Sequence, residues 1–340
     1  MSSRSRAWFV DKYGGPERLV LRERPDPLPG PGEVLVKTAA IGLNFADLFV
    51  RAGVYPRTPE PPMVPGLEIS GTVEAVGPGV ARVSTGRPVV AVPIFGGHAE
   101  RVVVDAKRVF PLPDGVDLVE AAAVPVAFLT AWYACYRAQV VAGDRVVLTA
   151  AAGGVGTALL QLLRERGART LALAGSEPKL ALCRELGAEE AGVYDRGGEL
   201  LGRAFGGRAD VVIDAVGGRL FARLWRSLDV GGRYVLYGFA AASGERGVAR
   251  AKALRELLAM GLLVPYALIQ SCRSLIGFNL SLLPDRTGEL ARAATEIFAL
   301  WRGGRIRPIL GPRFAFEHLP DAHRALASRR TTGKVLITVP

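Results

Sequence analysis

The sequence predicts an α/β protein with two units, a β-rich unit and a doubly wound parallel sheet with helices on both faces. Short β-branched runs separated by glycine and proline continue to about residue 104 and predict the β-rich unit. Strand and helix patterns alternate after the turn sequence at residues 111–115, which predicts βαβ units. The 340 residues exceed one domain of roughly 100 to 200 residues, so two hydrophobic cores are expected.

The composition is that of an ordinary globular protein. Hydrophobic residues make up 49% of the chain and charged residues 22%, which excludes a disordered or collagen-like chain. Cys135, Cys183 and Cys272 are too far apart for a CxxC site and too few for a disulfide scaffold. The first residues lack the apolar core of a secretion signal. A reducing cytoplasm is therefore the expected location.

The formal net charge of +11 raises the question of a nucleic acid or an anionic membrane as partner. The 37 arginines and six lysines are scattered, without a run of five like charges, so a nucleic acid is not expected. The longest apolar stretch, residues 257–269, is interrupted by Gly261 and Pro265 and is shorter than the roughly 20 residues of a membrane span. It predicts a buried helix, with a membrane-surface or lipid-binding helix as the alternative.

The order of predicted elements supports the two units. In the second unit, strands are predicted at residues 145–149, 170–174, 210–214, 233–237 and 274–278, and helices at residues 155–166 and 178–186. Helices at residues 287–301 and 320–329 and a strand at residues 334–339 follow without extending the alternation. This leaves open a return of the last part of the chain to the first unit.

Residues 150–156, Ala-Ala-Ala-Gly-Gly-Val-Gly, follow a predicted strand and open the next helix. They match a GxGxxG dinucleotide-binding loop with Ala151 in the first glycine place, followed by Gly153 and Gly156. Gly153 would let the backbone approach a pyrophosphate, Gly156 would allow close helix packing, and the helix N-terminus would supply amide donors. A turn without a ligand is the alternative, but the flanking elements favour cofactor binding.

The residues after the next strand favour NADPH over NADH. Ala174 stands where NAD-binding chains place an acidic residue for the ribose hydroxyls. Ser176 and Lys179, with Tyr194 and Arg196 after the following strand, are donors suited to a 2′-phosphate. A helix cap at Ser176 and a solvated charge at Lys179 are the alternatives, and the glutamate between them would repel a phosphate.

Four side chains with reactive or hydrogen-bonding groups interrupt an apolar segment of the first unit: Asn44, Asp47, Arg51 and Tyr55. On a helix the first three would share one face, because they recur at spacings of three and four. Asp47 and Arg51 could form a structural ion pair or take part in a site. Asn44, Asp47 and Tyr55 are the predicted catalytic residues.

Four segments resemble the zinc-free quinone oxidoreductases of the medium-chain dehydrogenase/reductase superfamily. They are the glycine loop, Gly-Leu-Asn-Phe-Ala-Asp-Leu at 42–48, Pro-Gly-Leu-Glu-Ile-Ser-Gly at 65–71 and Thr-Gly-Lys-Val-Leu at 332–336. Residues 268–270 and 277–280, with the long segment at 241–268 before them, are most similar to the vesicle amine transport protein branch of that family.

The resemblance implies a GroES-like catalytic domain formed by residues 1–122 and 284–340 and a Rossmann NADP-binding domain formed by residues 123–283. The active site would lie in the cleft between the two domains. The resemblance also implies a homodimer that acts on a small molecule.

The resemblance further implies that no metal is bound. Where zinc alcohol dehydrogenases carry Cys, His and Cys ligands, this chain has Asn44, Leu67 and Val126, which cannot replace them. The cysteine-rich lobe that binds a structural zinc is absent as well. The three histidines, at positions 98, 318 and 323, are scattered and are expected at the surface or as helix caps.

Cofactor contacts are implied at the glycine loop, at strand ends and along the cleft. The predicted set is Asn44, Thr130, Ala152, Gly153, Gly154, Val155, Gly156, Ser176, Lys179, Tyr194, Val216, Gly238, Phe239, Phe278, Asn279 and Lys334. Ligands bind at the carboxyl ends of such sheets, which fits these positions, although each later position could equally be core or turn.

The expected reaction is zinc-independent hydride transfer from NADPH to a quinone or an α,β-unsaturated carbonyl, since such acceptors need no Lewis acid. Asn44 would donate a hydrogen bond to the acceptor carbonyl, and Tyr55 or water would supply a proton. For Tyr55 an aromatic loop anchor is the alternative. The alternative functions are an enoyl reductase of lipid or polyketide metabolism and a lipid-binding protein that retains the dinucleotide fold.

Overall fold

The computed structural model describes residues 3–244, 247–248, 250–283 and 287–340. The strands are β1 Arg4–Val10, β2 Leu19–Pro25, β3 Glu33–Leu43, β4 Ile69–Val76, β5 Pro88–Ala91, β6 Arg101–Asp105, β7 Val109–Pro111, β8 Arg145–Leu148, β9 Arg169–Ala174, β10 Glu190–Val193, β11 Ala209–Asp214, β12 Leu228–Leu236, β13 Ser243–Gly244, β14 Gly247–Val248, β15 Ser274–Gly277, β16 Leu310–Ala315 and β17 Lys334–Thr338. The helices are α1 Phe45–Arg51, α2 Leu118–Ala121, α3 Pro125–Arg137, α4 Gly154–Glu165, α5 Leu180–Glu185, α6 Gly197–Phe205, α7 Arg219–Ser227, α8 Arg250–Ala259, α9 Pro265–Ser271, α10 Thr287–Arg302 and α11 Leu319–Ala327.

A six-stranded parallel sheet forms the doubly wound unit, in the order β10-β9-β8-β11-β12-β15. Numbered along the chain, this is the 3-2-1-4-5-6 order of dinucleotide-binding sheets. The order reverses between β8 and β11, and ligands bind such sheets outside the strand ends at that point. The predicted α/β class and the parallel sheet are therefore confirmed.

Close packing of α4 on the turn before it depends on Gly156. The apolar face of α4, which includes Leu159, Leu162 and Leu163, is fully buried. A Cβ at residue 156 would lie 2.3 Å from the carbonyl oxygen of Ala150, which is too close for any side chain. Glycine at this position thus lets the first turn of the helix approach the end of β8.

A seven-stranded sheet combines strands from both parts of the chain. Its order is β16-β17-β3-β4-β5-β7, and β6 pairs with β3. β17 runs antiparallel to β3, with Val335 opposite Leu43. The last part of the chain therefore returns to the first sheet, as the sequence left open. The domain boundaries at residues 122 and 284 stay predictions, and residues 1 and 284 lie outside the described residues.

The two cores meet at the start of α3. Val126 packs against the core of the seven-stranded sheet and against the core on one face of the parallel sheet. The turn before β17 adds a second connection, because Gly333 N donates to the carbonyl oxygen of Ala152 at 2.9 Å. These contacts place the glycine loop opposite the start of α1.

The predicted buried helix at residues 257–269 is wrong. α8 ends at Ala259 and α9 begins at Pro265, since Gly261 adopts a left-handed conformation (φ +80°) and proline starts a new helix. Leu258, Leu262 and Ile269 are 71%, 92% and 72% exposed. In the described part of the chain, no helix has the length and apolar character that crossing a bilayer requires.

We expect Gly71→Ala to lower the free energy of unfolding by about 1–3 kcal/mol, because overpacking displaces backbone. An added Cβ at residue 71 of β4 would lie 2.0 Å from the carbonyl oxygen of Lys37. Gly202→Ala is the control: it lies in the exposed interior of α6 with open space around it, so alanine should stabilise by about 0.5–1 kcal/mol. Urea unfolding of both variants measures the difference. Equal stability of the Gly71→Ala variant and the wild type would contradict the tight β3–β4 approach.

Candidate active site

A cavity of about 730 Å³ lies between the two sheets, at the carboxyl ends of the parallel strands. Its walls are formed by the start of α1, the glycine loop, the segments after β11 and β12, and residues 329–334. Most of the wall is apolar, with a few polar groups. This is the usual character of a small-molecule site.

Most of the predicted site residues lie on this cavity. They are Asn44, Tyr55, Thr130, Ala152, Gly153, Gly154, Val155, Gly156, Lys179, Tyr194, Val216, Gly238, Phe239, Phe278, Asn279 and Lys334. Asp47 and Ser176 do not line it. Sequence reasoning did not predict the aromatic and aliphatic wall formed by Phe45, Phe49 and Ile94, nor Arg329.

The glycine loop is held in a tight turn at the end of β8. Ala150 has a left-handed conformation (φ +50°), and its backbone N–H donates to the phenol oxygen of Tyr194 at 3.1 Å. Burial raises the pKa of Tyr194 to about 12, so the phenol keeps its proton at neutral pH. Tyr194 therefore holds the start of the glycine loop by this hydrogen bond, and it also borders the cavity.

The region predicted for a 2′-phosphate contains a half-buried cation, Lys179. β9 ends at Ala174, as expected, so no carboxylate occupies that strand end. Lys179 Nζ donates to the carbonyl oxygens of Arg329 at 2.6 Å and Thr331 at 2.9 Å, and burial lowers its pKa. Lys179 is thus not a solvated surface charge. Ser176 forms no capping hydrogen bond, so the cap alternative is not realised.

Arg329 also lines the cavity. No sequence pattern pointed to it. Its guanidinium donates to the carbonyl oxygen of Ala240 and to that of Ser243, the latter at 2.6 Å. The same group lies 6.0 Å from the ring centroid of Phe45. Arg329 therefore contacts the segment after β12 and the start of α1 across the mouth of the cavity.

Asn44 is the N-cap residue of α1, and both ends of its side-chain amide are hydrogen-bonded. Its Oδ1 accepts from Lys334 Nζ at 2.6 Å, and its Nδ2 donates to Glu68 Oε1 at 2.7 Å. Lys334 and Glu68 also form an ion pair. Glu68 Oε2 accepts from the backbone N–H of Val126 at 2.7 Å. Glu68 lies in one of the motifs that carry the family resemblance. Its ion pair with Lys334 could not be predicted, because the two residues are far apart in sequence.

Asp47, a predicted catalytic residue, is fully buried beneath the cavity. Its Oδ2 accepts from the backbone N–H of Asn44 at 2.7 Å, which fixes the first turn of α1. Burial raises the pKa of Asp47 to about 7. The ion pair with Arg51, one of the two alternatives, is not formed. Arg51 Nε donates to the carbonyl oxygen of Gly14, and its Nη1 lies 2.9 Å from His323 Nδ1. Asp47 thus supports Asn44 and does not contact the cavity.

Two of the three histidines are buried, which corrects the expectation that all lie at the surface or at caps. His98 and His323 are fully buried, with ring centroids 5.5 Å apart. His98 Nε2 lies 3.9 Å from Asp47 Oδ1. Burial lowers the pKa of His98 to about 3, so its ring is neutral. Only His318 is exposed, at the start of α11.

Tyr55 connects the two sides of the cleft. Its hydroxyl donates to Asn279 Oδ1 at 2.8 Å and lies 2.9 Å from Ser281 Oγ. Burial raises the pKa of Tyr55. The geometry favours the anchor alternative, since the phenolic proton already has an acceptor.

Comparisons with known proteins agree with this architecture. Residues 30–114 match the alcohol dehydrogenase GroES-like domain family, and residues 186–337 match the zinc-binding dehydrogenase family. Quinone oxidoreductase-like protein 2 of Bos taurus is 35% identical, over 94% of this chain and 89% of its own length. The synaptic vesicle membrane protein VAT-1 homolog of Rattus norvegicus is 33% identical, over 98% of this chain and 83% of its own length.

A solved structure of the quinone oxidoreductase from Thermus thermophilus, also described in complex with NADPH, superposes with a TM-score of 0.80. It is 38% identical and covers 98% of this chain and 99% of its own. These similarities extend over nearly the whole chain, which therefore belongs to the medium-chain dehydrogenase/reductase superfamily, among its quinone oxidoreductase-like and VAT-1-related members.

Proposed function

We propose that the chain is a cytoplasmic, zinc-independent NADPH-dependent oxidoreductase that reduces a quinone or an α,β-unsaturated carbonyl. One observation carries the proposal: the glycine loop and the Asn44 amide face one apolar cavity, with Leu67 and Val126 on its wall. The NADPH complex of the Thermus thermophilus relative supports the choice of cofactor.

The residues around the cavity fit a dinucleotide. Gly153 and the first turn of α4 would hold the pyrophosphate, because a helix N-terminus offers free amide donors. Lys179 would pair with the 2′-phosphate, and Thr130 and Phe239 would border the nicotinamide half. When bound, NADPH supplies the hydride from its nicotinamide ring.

The acceptor would lie against the apolar wall formed by Phe45, Phe49 and Ile94. These apolar side chains favour a flat, conjugated molecule. Asn44 would donate a hydrogen bond to the carbonyl oxygen on which negative charge develops. Tyr55 would anchor the loop, and solvent water would supply the proton.

A catalytic zinc does not fit the side chains of the cavity. Asn44, Leu67 and Val126 offer no thiolate or imidazole, and the Asn44 amide oxygen already accepts from the Lys334 ammonium. This chemistry supports the proposed zinc independence, although one matching family is named for zinc binding.

Steady-state oxidation of NADPH against a panel of quinones, enals and enoyl thioesters tests the proposal. We expect turnover with quinones or enals, without added zinc and without inhibition by a chelator. Asn44→Ala should lower kcat about tenfold or more, because one hydrogen bond to the developing charge is lost. Turnover with enoyl thioesters alone would favour the enoyl reductase, and no turnover with any acceptor would refute the proposal.

We expect Lys179→Ala to weaken NADPH binding about tenfold or more, since a hydrogen-bonded charge pair with the 2′-phosphate is removed. NADH binding should change less than about twofold. Lys107→Ala is the control, because Lys107 is exposed in the short turn that joins β6 to β7. Fluorescence titration measures both cofactors. Equal losses for NADPH and NADH would contradict the phosphate role.

A homodimer is proposed through the edge strand β15 and the neighbouring helices α8 and α9. Within the described ranges β15 pairs only with β12, and the segment that precedes it carries the exposed apolar side chains of Leu258, Leu262 and Ile269. Such a surface next to an open strand edge fits a second copy of the chain.

We expect the double variant Leu262→Glu/Ile269→Glu to shift the protein from dimer to monomer, because each buried charge would oppose association. Leu28→Glu is the control, since Leu28 is exposed elsewhere. Light scattering after size-exclusion chromatography gives the mass. If the wild type is a monomer that cosediments with liposomes, and the double variant no longer cosediments, the surface is a lipid-binding face instead.

A further inference from the structure

We infer that Glu68 and Lys334 are positioning residues that hold the Asn44 amide in one orientation, with one N–H left free for the acceptor. The inference rests on the proposed function, because Asn44 is the group proposed to bind the acceptor carbonyl. Neither Glu68 nor Lys334 has to touch the acceptor for this role. Each acts through the amide.

The chemistry of the two partners distinguishes the two ends of the amide. An ammonium only donates hydrogen bonds and a carboxylate only accepts them. Lys334 Nζ contacts Asn44 Oδ1 at 2.6 Å, and Glu68 Oε1 contacts Asn44 Nδ2 at 2.7 Å. Rotating the amide by half a turn would set N–H against the ammonium and C=O against the carboxylate. Both contacts would become repulsive, so one orientation is strongly favoured.

The site is built to keep Glu68 in place. All three side chains are buried, and Glu68 is fully enclosed. Its second oxygen accepts from the backbone N–H of Val126 at 2.7 Å. Gly42 makes room for it, because a Cβ there would lie 2.6 Å from Glu68 Oε1. In such a low-dielectric setting, charge-assisted hydrogen bonds hold their geometry more firmly than in water.

Apart from the bond to Glu68, Asn44 Nδ2 makes only a long contact among the residues that the structure describes. The carbonyl oxygen of Gly42 lies 3.4 Å from Nδ2, which is long for an N–H···O bond. Asn44 lines the cavity. The donor left over after Glu68 is bonded is therefore the one that an acceptor oxygen can use.

Asparagine and lysine are both rare in this chain. Its 340 residues include only two asparagines, Asn44 and Asn279, and both line the cavity. Lysine is also rare, with six against 37 arginines. The compact ammonium of Lys334 presents a single point donor to the amide oxygen, whereas a planar guanidinium would not occupy the same space.

The two asparagines permit a direct test on the cofactor-free protein. Selective ¹⁵N-asparagine labelling gives two side-chain NH₂ groups, and the Asn44→Ala variant assigns them. We expect the two Asn44 protons to be well separated in chemical shift, because only one bonds to a carboxylate. Glu68→Gln, Lys334→Met and Lys334→Arg should each reduce that separation, while an unchanged Asn279 signal reports an intact fold.

A partly buried ion pair away from the cleft provides the control. Asp144 pairs with Arg233 at 2.8 Å, beside the start of β8 and far from the strand ends that line the cavity. Asp144→Asn should lower thermal stability without moving the Asn44 signals. An Asn44 NH₂ group that resembles an exposed amide in the wild type, or that ignores Glu68→Gln, would overturn the inference.

A double-mutant cycle tests whether Glu68 acts through Asn44. With NADPH and a quinone, Glu68→Gln should lower kcat about 10- to 100-fold, since small misplacement of a binding group has effects of this size, while KM changes less than about threefold. In the Asn44→Ala background the same change should cost less than about twofold. Independent, multiplicative effects would overturn the inference. If the wild type oxidises no NADPH, the proposed function fails, and the NMR result alone decides the amide orientation.

Discussion

The cleft depends on one short segment, the turn before β17 together with Lys334. β17 belongs to the seven-stranded sheet, yet Gly333 donates to Ala152 in the glycine loop of the other sheet. Lys334, the next residue, bonds the Asn44 amide and pairs with Glu68. Because the glycine loop and α1 belong to different sheets, their spacing is set by this segment and by the packing of α3. The glycine loop and the Asn44 amide are thereby held at a fixed separation.

Much of the fold and of the cavity could be predicted because the signals are local. An apolar strand, a glycine turn and a helical stripe within about 30 residues predict the β8-α4-β9 unit. The parallel order then brings all carboxyl strand ends to one edge. For this reason Val216, Gly238 and Phe278, which the family resemblance implied, line the same cavity although they are far apart in the chain.

Features that depend on distant partners could not be predicted. Asp47 and Arg51 have the spacing of a helical ion pair, but Asn44 and His323 are their partners in the folded chain. The burial of His98 and His323 follows from packing between elements that are more than 200 residues apart in sequence. The break between α8 and α9 had its signal in Gly261 and Pro265, but the exposure of the surrounding leucines depends on what packs nearby.

The pairing of β17 with β3 also constrains the order in which the two sheets can form while the chain leaves the ribosome. Val335 lies about 290 residues after its partner Leu43, whereas the parallel sheet is complete once residue 277 has emerged. Domains fold as units during synthesis, and non-local strand pairs form last. Until β17 has emerged, the edge of β3 at residues 40–43 lacks the strand that pairs with it in the folded protein. The parallel sheet can therefore form well before the cavity between the two sheets is complete.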